Sequence, residues 1–265
     1  VDGTAAKYPT VDAVNSEMVK LTGVQTIADV KTFSSDTLIN GLTVGRGLGD
    51  FDSNTTLGFG AAAANTDGVN FVAVGKQAGA ANLDGLDWVA VGEKAGFSNI
   101  SGSNFVAVGT KAGYSNVDGV DFVAIGSSAG FKNIDGVSWV ANGVQAGYNN
   151  TSGSEWVAIG DRSGFSNTIG TSWVANGIQS GYSNTTGSNW VAIGNRAGGK
   201  NTTGSNWIAI GDNAGRIIAN TQSAFNISNS IFIGANTKPL SDNQTNQVVV
   251  GHNAIGLGSN TSVLG

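Results

Sequence analysis

From about residue 51 to residue 215, apolar and polar positions recur in blocks of 17 residues. Each block opens on glycine and two residues of which the second is polar, runs through aromatic, Val or Ile, Ala and a residue that is Val or Ile in all but two copies, then returns to mostly polar residues after a second glycine. GSEWVAIGDRSGFSNTI, residues 153–169, is a representative copy. Gly153 recurs from Gly68 to Gly204, Gly160 from Gly75 to Gly211, Gly164 from Gly79 to Gly215 and Asn167 from Asn65 to Asn201. The Trp156 position is Phe or Trp in all nine full copies: Phe71, Trp88, Phe105, Phe122, Trp139, Trp156, Trp173, Trp190 and Trp207.

This period is too short for a helical repeat, since two helices and their turns need about 33 residues. It predicts an all-β chain, a parallel β-solenoid or β-roll whose coils hold two short strands and two turns. One strand is the β-rich run typified by Trp88–Val89–Ala90–Val91. A weaker one lies in the second half, as at Ala95–Asn99. Coils stacked about 4.8 Å apart turn every column into a ladder of like residues. Glycines then fit corners where φ is positive and Cβ atoms have no room, and the asparagines fit an amide ladder along the axis.

Both faces of the predicted strand are apolar: Val157 and Ile159 point one way, Trp156 and Ala158 the other. A thin coil encloses only one of them. Left outside, the aromatic face would be a ladder of nine rings, far more apolar surface than a soluble monomer normally shows. That ladder, core or oligomer seam, is therefore expected to be buried against another chain, most economically in a parallel homo-oligomer, intertwined or side by side, for which three chains is the commonest arrangement in fibres. Burying each ring contributes about 2 kcal/mol before entropy.

Two copies change this strand alike. WVANGV at 139–144 and WVANGI at 173–178 replace the WVAIGD of 156–161, exchanging the residues on either side of the glycine. One account is a compensated register change in which Val144 and Ile178 take the place vacated by Asn142 and Asn176. The other is a ring of Asn amides on the fibre axis, holding water or an anion. An unpaired amide in an apolar ladder costs about 1–3 kcal/mol, so both accounts supply a partner. A second aromatic column runs through Phe97, Tyr114, Phe131, Tyr148, Phe165 and Tyr182. It packs over a corner or, through Tyr114, Tyr148 and Tyr182, stacks sugars.

The flanks differ. Thr10–Leu21 places Val11, Val14, Met18 and Leu21 at helical spacing, with Thr10 as N-cap, which predicts an attachment or coiled-coil helix within residues 1–22. Residues 23–50 read as an extended connector leading into the first coil. Residues 216–265 read as degenerate closing coils: RIIANTQSAFNIS lengthens one coil, and strands resume at SIFIG, QVVVG and SVLG. Ending inside a strand leaves an open edge, so more protein is expected to follow Gly265.

Composition removes several functions. The net charge of −5 and the absence of any basic run argue against nucleic acid as a partner. No cysteine and a single histidine, His252, leave no thiolate metal site, Cys nucleophile or His-based triad. Asp67, Asp84, Asp118 and Asp135 recur at corners in a pattern that suits Asp–Gly turns better than calcium coils. No enzyme, cofactor, metal or catalytic residue is expected.

KYPTVDAVN and LTGVQTIADVKTF, within residues 7–47, resemble the connector upstream of the shaft in tail-fibre proteins of bacteriophages and contractile injection particles. The repeats GSNFVAVG (102–109) and GSNWVAIG (187–194) resemble coils of the same fibres and, more distantly, the left-handed parallel β-roll in heads of trimeric autotransporter adhesins, whose coils are shorter. NQTNQVVVGHNAIGLGSNTSVLG looks like the closing coils of such shafts.

The resemblance implies a left-handed trimer serving as a structural fibre of a phage or phage-like particle. Its partners are then copies of itself, a baseplate or fibre-network protein at the N-terminal end, and a bacterial surface receptor reached directly or through a further tip. Its location is the particle tail, outside the cell. The alternatives are an adhesin head on a bacterial surface and, further off, a carbohydrate-binding solenoid. An ice-binding face is not expected because no threonine column persists.

Overall fold

A computed structural model describes residues 37–39, 42–47, 49, 51–219 and 225–265. The helix expected within residues 1–22 lies outside them. Two short strands come first, β1 (Thr37–Ile39) and β2 (Leu42–Gly45), paired antiparallel. β2 also pairs antiparallel with β3 (Thr55–Leu57), so the described end of the connector is a hairpin leaning on the first coil.

From β3 onward every neighbour is parallel. The strands are β4 (Phe71–Val74), β5 (Trp88–Val91), β6 (Phe105–Val108), β7 (Phe122–Ile125), β8 (Trp139–Asn142), β9 (Trp156–Ile159), β10 (Trp173–Asn176), β11 (Trp190–Ile193) and β12 (Trp207–Ile210). β13 (Ser230–Ile233), β14 (Gln247–Val250) and β15 (Thr261–Leu264) close the stack, in strict sequence order. This is a parallel β-solenoid. Trp156 lies opposite Trp173 and Ala158 opposite Ala175, so the columns of the sequence are ladders in space. Trp207 pairs with Ser230, 23 residues on, then Ile231 with Val248, 17 on, and Gln247 with Thr261, 14 on. No helix occurs among the described residues.

Each coil contains one strand, where two were expected. The strand is bracketed by left-handed backbone: Glu155 has φ 59° before it and Gly160 φ 119° after it. Arg162 at 52° and Gly164 at 56° follow, and two left-handed residues in three positions cannot belong to an extended strand. The second half is therefore a run of turns. Its backbone groups still bond from coil to coil: Gly164 N donates to Ser180 O (2.9 Å) and Ser166 N to Tyr182 O (3.1 Å). Burial without loss of hydrogen bonds is thus kept on both sides of the coil.

The strand's two faces are resolved in favour of the aromatics. The nine rings from Phe71 to Trp207 are at most 2% exposed within a single chain, and the alanines beside them are fully buried. The expectation that the ring ladder would stand outside the coil is corrected: it is the coil's own core. Neighbouring rings stack with centroids 4.3–5.5 Å apart and planes within 8°. The turns make the room. A Cβ on Gly164 would sit in the indole of Trp173, and one on Gly153 would run into the carbonyl of Gly170. Gly164 answers to both φ and space, Gly153 to space alone.

Buried polarity is matched to this core. Trp156 Nε1 donates to Gly153 O (2.9 Å), and Asn150 Nδ2 donates to the same carbonyl (2.8 Å). The asparagines form the expected ladder, with Asn99 donating to Asn82 Oδ1 and Asn116 to Asn99 Oδ1, both at 2.8 Å. The ladder reverses once. Asn167 donates onward to Asn184 (3.3 Å), which leaves Oδ1 of both Asn150 and Asn167 without a partner.

Candidate functional site

Two surfaces stand out. The first is the outer face of the sheet. With Trp156 and Ala158 inside, Val157 and Ile159 face outward, and the same holds strand after strand. The inner of the two rows, Val72 to Val248, is half-buried; the other holds Ile125, Ile159, Ile193, Ile210 and Ile233, each 37–40% exposed. From β4 to β14 the rows run ten steps of about 4.8 Å, roughly 48 Å. A shallow groove of about 290 Å³ follows Val89, Val106, Val123 and Val140, with Asp87, Asn104 and Asp121 on its rim.

Asn142 and Asn176 belong to this outer row. Asn142 pairs with Ile125 on one side and Ile159 on the other, in unbroken register, and Asn176 sits between Ile159 and Ile193 in the same manner. The compensated register change does not occur. Val144 and Ile178 are 51% and 54% exposed, so neither fills a core position. The apolar residue before the glycine is a surface residue in every coil, which is why asparagine is tolerated there without a partner inside the chain.

The second surface is the outer aromatic column. Its rings are partly exposed and stack on one another from Phe97 to Tyr182 at 4.9–5.3 Å. Lys94 lies over Phe97 and Lys132 over Tyr148, each 5.7 Å from the ring centre. Both faces of Tyr114 are taken by Phe97 and Phe131, and both faces of Tyr148 by Phe131 and Phe165. A ligand meets only the edges and hydroxyls of these two tyrosines. Tyr182 differs, because the ring that would cover its far face is missing at Gly199.

No family model, curated protein or solved structure matches this chain. Among the described residues no three His, Cys, Asp or Glu side chains are grouped to hold a metal, and no helix is long and apolar enough to cross a membrane. His252 is exposed, as are the corner residues Asp67, Asp84, Asp118 and Asp135.

Two features escaped the reading of the sequence. One is the cavity beside Gly199, announced only by a break in the outer aromatic column. The other is a short threonine column, Thr151, Thr168, Thr185 and Thr202, which replaces the Leu83, Ile100, Val117 and Ile134 of earlier coils. Its hydroxyls are spent on backbone carbonyls of the next coil, Thr151 to Thr168 O at 3.0 Å and Thr168 to Thr185 O at 3.0 Å.

Proposed function

We propose that this chain is the shaft of an attachment fibre on a bacteriophage or phage-like injection particle, assembled from parallel copies that pack through the outer Val/Ile rows. The observation that carries the reading is the length of those rows, an apolar stripe broken only at Asn142 and Asn176 on a chain whose core is already complete. Stripes of this kind are covered in soluble proteins. A second copy is the occupant that fits best, because the rows interrupt themselves at Asn142 and Asn176. In a parallel, in-register assembly each asparagine meets its own copy, amide to amide, directly or through water or an anion. A packing staggered by one coil would bury both against isoleucine, unpaired, at about 1–3 kcal/mol each. An antiparallel pair centred on Ile159 would match Asn142 with Asn176, so the parallel arrangement rests on the resemblance to tail-fibre coils. Single polar positions in coiled-coil seams set register by the same logic.

The resemblance of the repeats to tail-fibre coils favours three chains and a left-handed wind. Uniform coils make a spacer, so the fibre holds a receptor-binding end away from its attachment point. The 14-residue step from β14 to β15 approaches the coil length of adhesin heads and supports a second reading, an adhesin on a bacterial surface.

Sedimentation equilibrium of the full chain tests the assembly. Three times 26.7 kDa is expected, falling to one when Ile159 and Ile193 are both changed to lysine with the circular dichroism of the coils unaltered. A wild-type chain that stays monomeric at micromolar concentration rejects the proposal. Antibody labelling separates the two readings: label on the tails of purified particles fits the fibre, and label on the cell envelope fits the adhesin.

A further inference from the structure

We propose that the gap at Gly199 is a binding slot for one acidic sugar ring. The position occupied by Phe97, Tyr114, Phe131, Tyr148, Phe165 and Tyr182 in successive coils falls on Gly199 in the next and on Arg216 in the one after. Phe165 covers one face of Tyr182, with centroids 5.2 Å apart and planes at 7°. The other face looks onto a missing rung. Two coil spacings, about 9.6 Å, separate the Tyr182 and Arg216 rungs, which is room for one six-membered ring lying against the free face of Tyr182 at stacking distance.

The cavity there measures about 250 Å³. That is just under the roughly 300–1,000 Å³ that encloses drug-sized molecules, so it suits a single ring better than a longer saccharide. Besides Tyr182 and Gly199, its walls are Gln179, Ser183, Arg196, Lys200 and Arg216. Three of these are cationic and none is acidic, in a chain whose net charge is −5. Arg196 Nε donates to Gln179 Oε1 (3.1 Å), which steadies the guanidinium and keeps its terminal nitrogens for a ligand. Arg216 is braced through Nη1 on Asn213 Oδ1 at 3.4 Å.

Each part has a chemical counterpart. The electron-rich face of Tyr182 attracts the polarised C–H groups of a pyranose. The planar fork of an arginine matches a carboxylate. Ser183 and Gln179 supply a hydroxyl and an amide for ring hydroxyls. A hexuronate and a sialic acid both present this combination of a saturated ring and a carboxylate. None of the slot residues belongs to the Val/Ile rows, so the slot stands or falls separately from the fibre.

Calorimetric titration of the full chain tests it with tetragalacturonate, its methyl ester, sialyllactose and inorganic phosphate. Tetragalacturonate or sialyllactose should bind, and whichever binds identifies the class of acid. The methyl ester should bind about tenfold more weakly, as should the acid to Tyr182→Ala and Arg196→Gln. Gly199→Phe, which restores the missing rung, should abolish binding; a Cβ there comes within 3.0 Å of Arg196 O, so its fold is checked by circular dichroism. Arg196 is exposed, and its variant keeps the test open if the glycine variant misfolds. Equal binding of acid and ester, equal binding by wild type and Arg196→Gln, phosphate binding as tightly as the sugars, or no binding of either acid at millimolar concentration would each overturn the assignment.

Discussion

The two faces of one strand differ in what they tolerate. The inner face accepts Phe or Trp beside an unvarying Ala from β4 to β12, while the outer face accepts Val, Ile and twice Asn. Inside, each ring from Trp88 to Trp190 is held by the ring above, the ring below and a glycine turn opposite, so volume and shape are set by three neighbours at once. Outside, the neighbours along the row are the only constraint within the chain. Substitutions that move a residue's character from one face to the other measure that asymmetry.

The largest effect is expected at the inner face. Trp156→Ala removes a ring stacked between Trp139 and Trp173 and leaves Gly153 O one donor short. A loss of about 3–5 kcal/mol should appear as a lower urea midpoint. Gly164→Ala, on the turn facing Trp173, combines a left-handed φ of 56° with overlap of the indole, and should cost about 2–3 kcal/mol in the same measurement. Asn116→Ala breaks the amide ladder and strands Asn99 Oδ1, with an expected loss of about 1–3 kcal/mol. On the outer face, Ile159→Lys should leave the coil's own stability within about 0.5 kcal/mol when measured at concentrations where the chain is monomeric. Asn142→Ile should be the quietest in that assay. Its signature should instead be a broadened sedimentation profile, as the row loses one of the two asparagines proposed to set register. Equal costs at Trp156 and Ile159 would erase the contrast between the faces.

The solenoid itself was legible because coils repeat: a residue that recurs every 17 positions must serve one stacked role, and the columns of Gly, Asn and Phe or Trp say which positions stack. The side of the strand that turns inward was not. Alternation reports two faces and is silent on their sign when both are apolar. The sign lay in the variation between copies: Ala158's column does not change from β4 to β12, and the Ile159 column admits Asn142 and Asn176, as a surface does. The second strand was over-read for a related reason. Arg162, Gln145 and Lys94 look like ordinary polar residues, yet each sits at φ between 52° and 56°, a backbone state that side-chain type does not announce. At the slot, Gly199 read as one more glycine in a glycine-rich repeat. Only its place in a column of rings distinguishes it.

The inner stack also has an optical consequence. Trp139, Trp156, Trp173, Trp190 and Trp207 form an unbroken column of five indoles with centroids 4.8–5.1 Å apart and planes within 8°. Chromophores so close and so nearly parallel couple their transition dipoles, so ultraviolet excitation of one is shared along the column. Trp88, flanked by Phe71 and Phe105, stands alone and serves as the internal reference. This stretch of the solenoid is thereby a built-in spectroscopic wire, whose near-ultraviolet dichroism and fluorescence depolarisation report directly on whether those coils remain stacked.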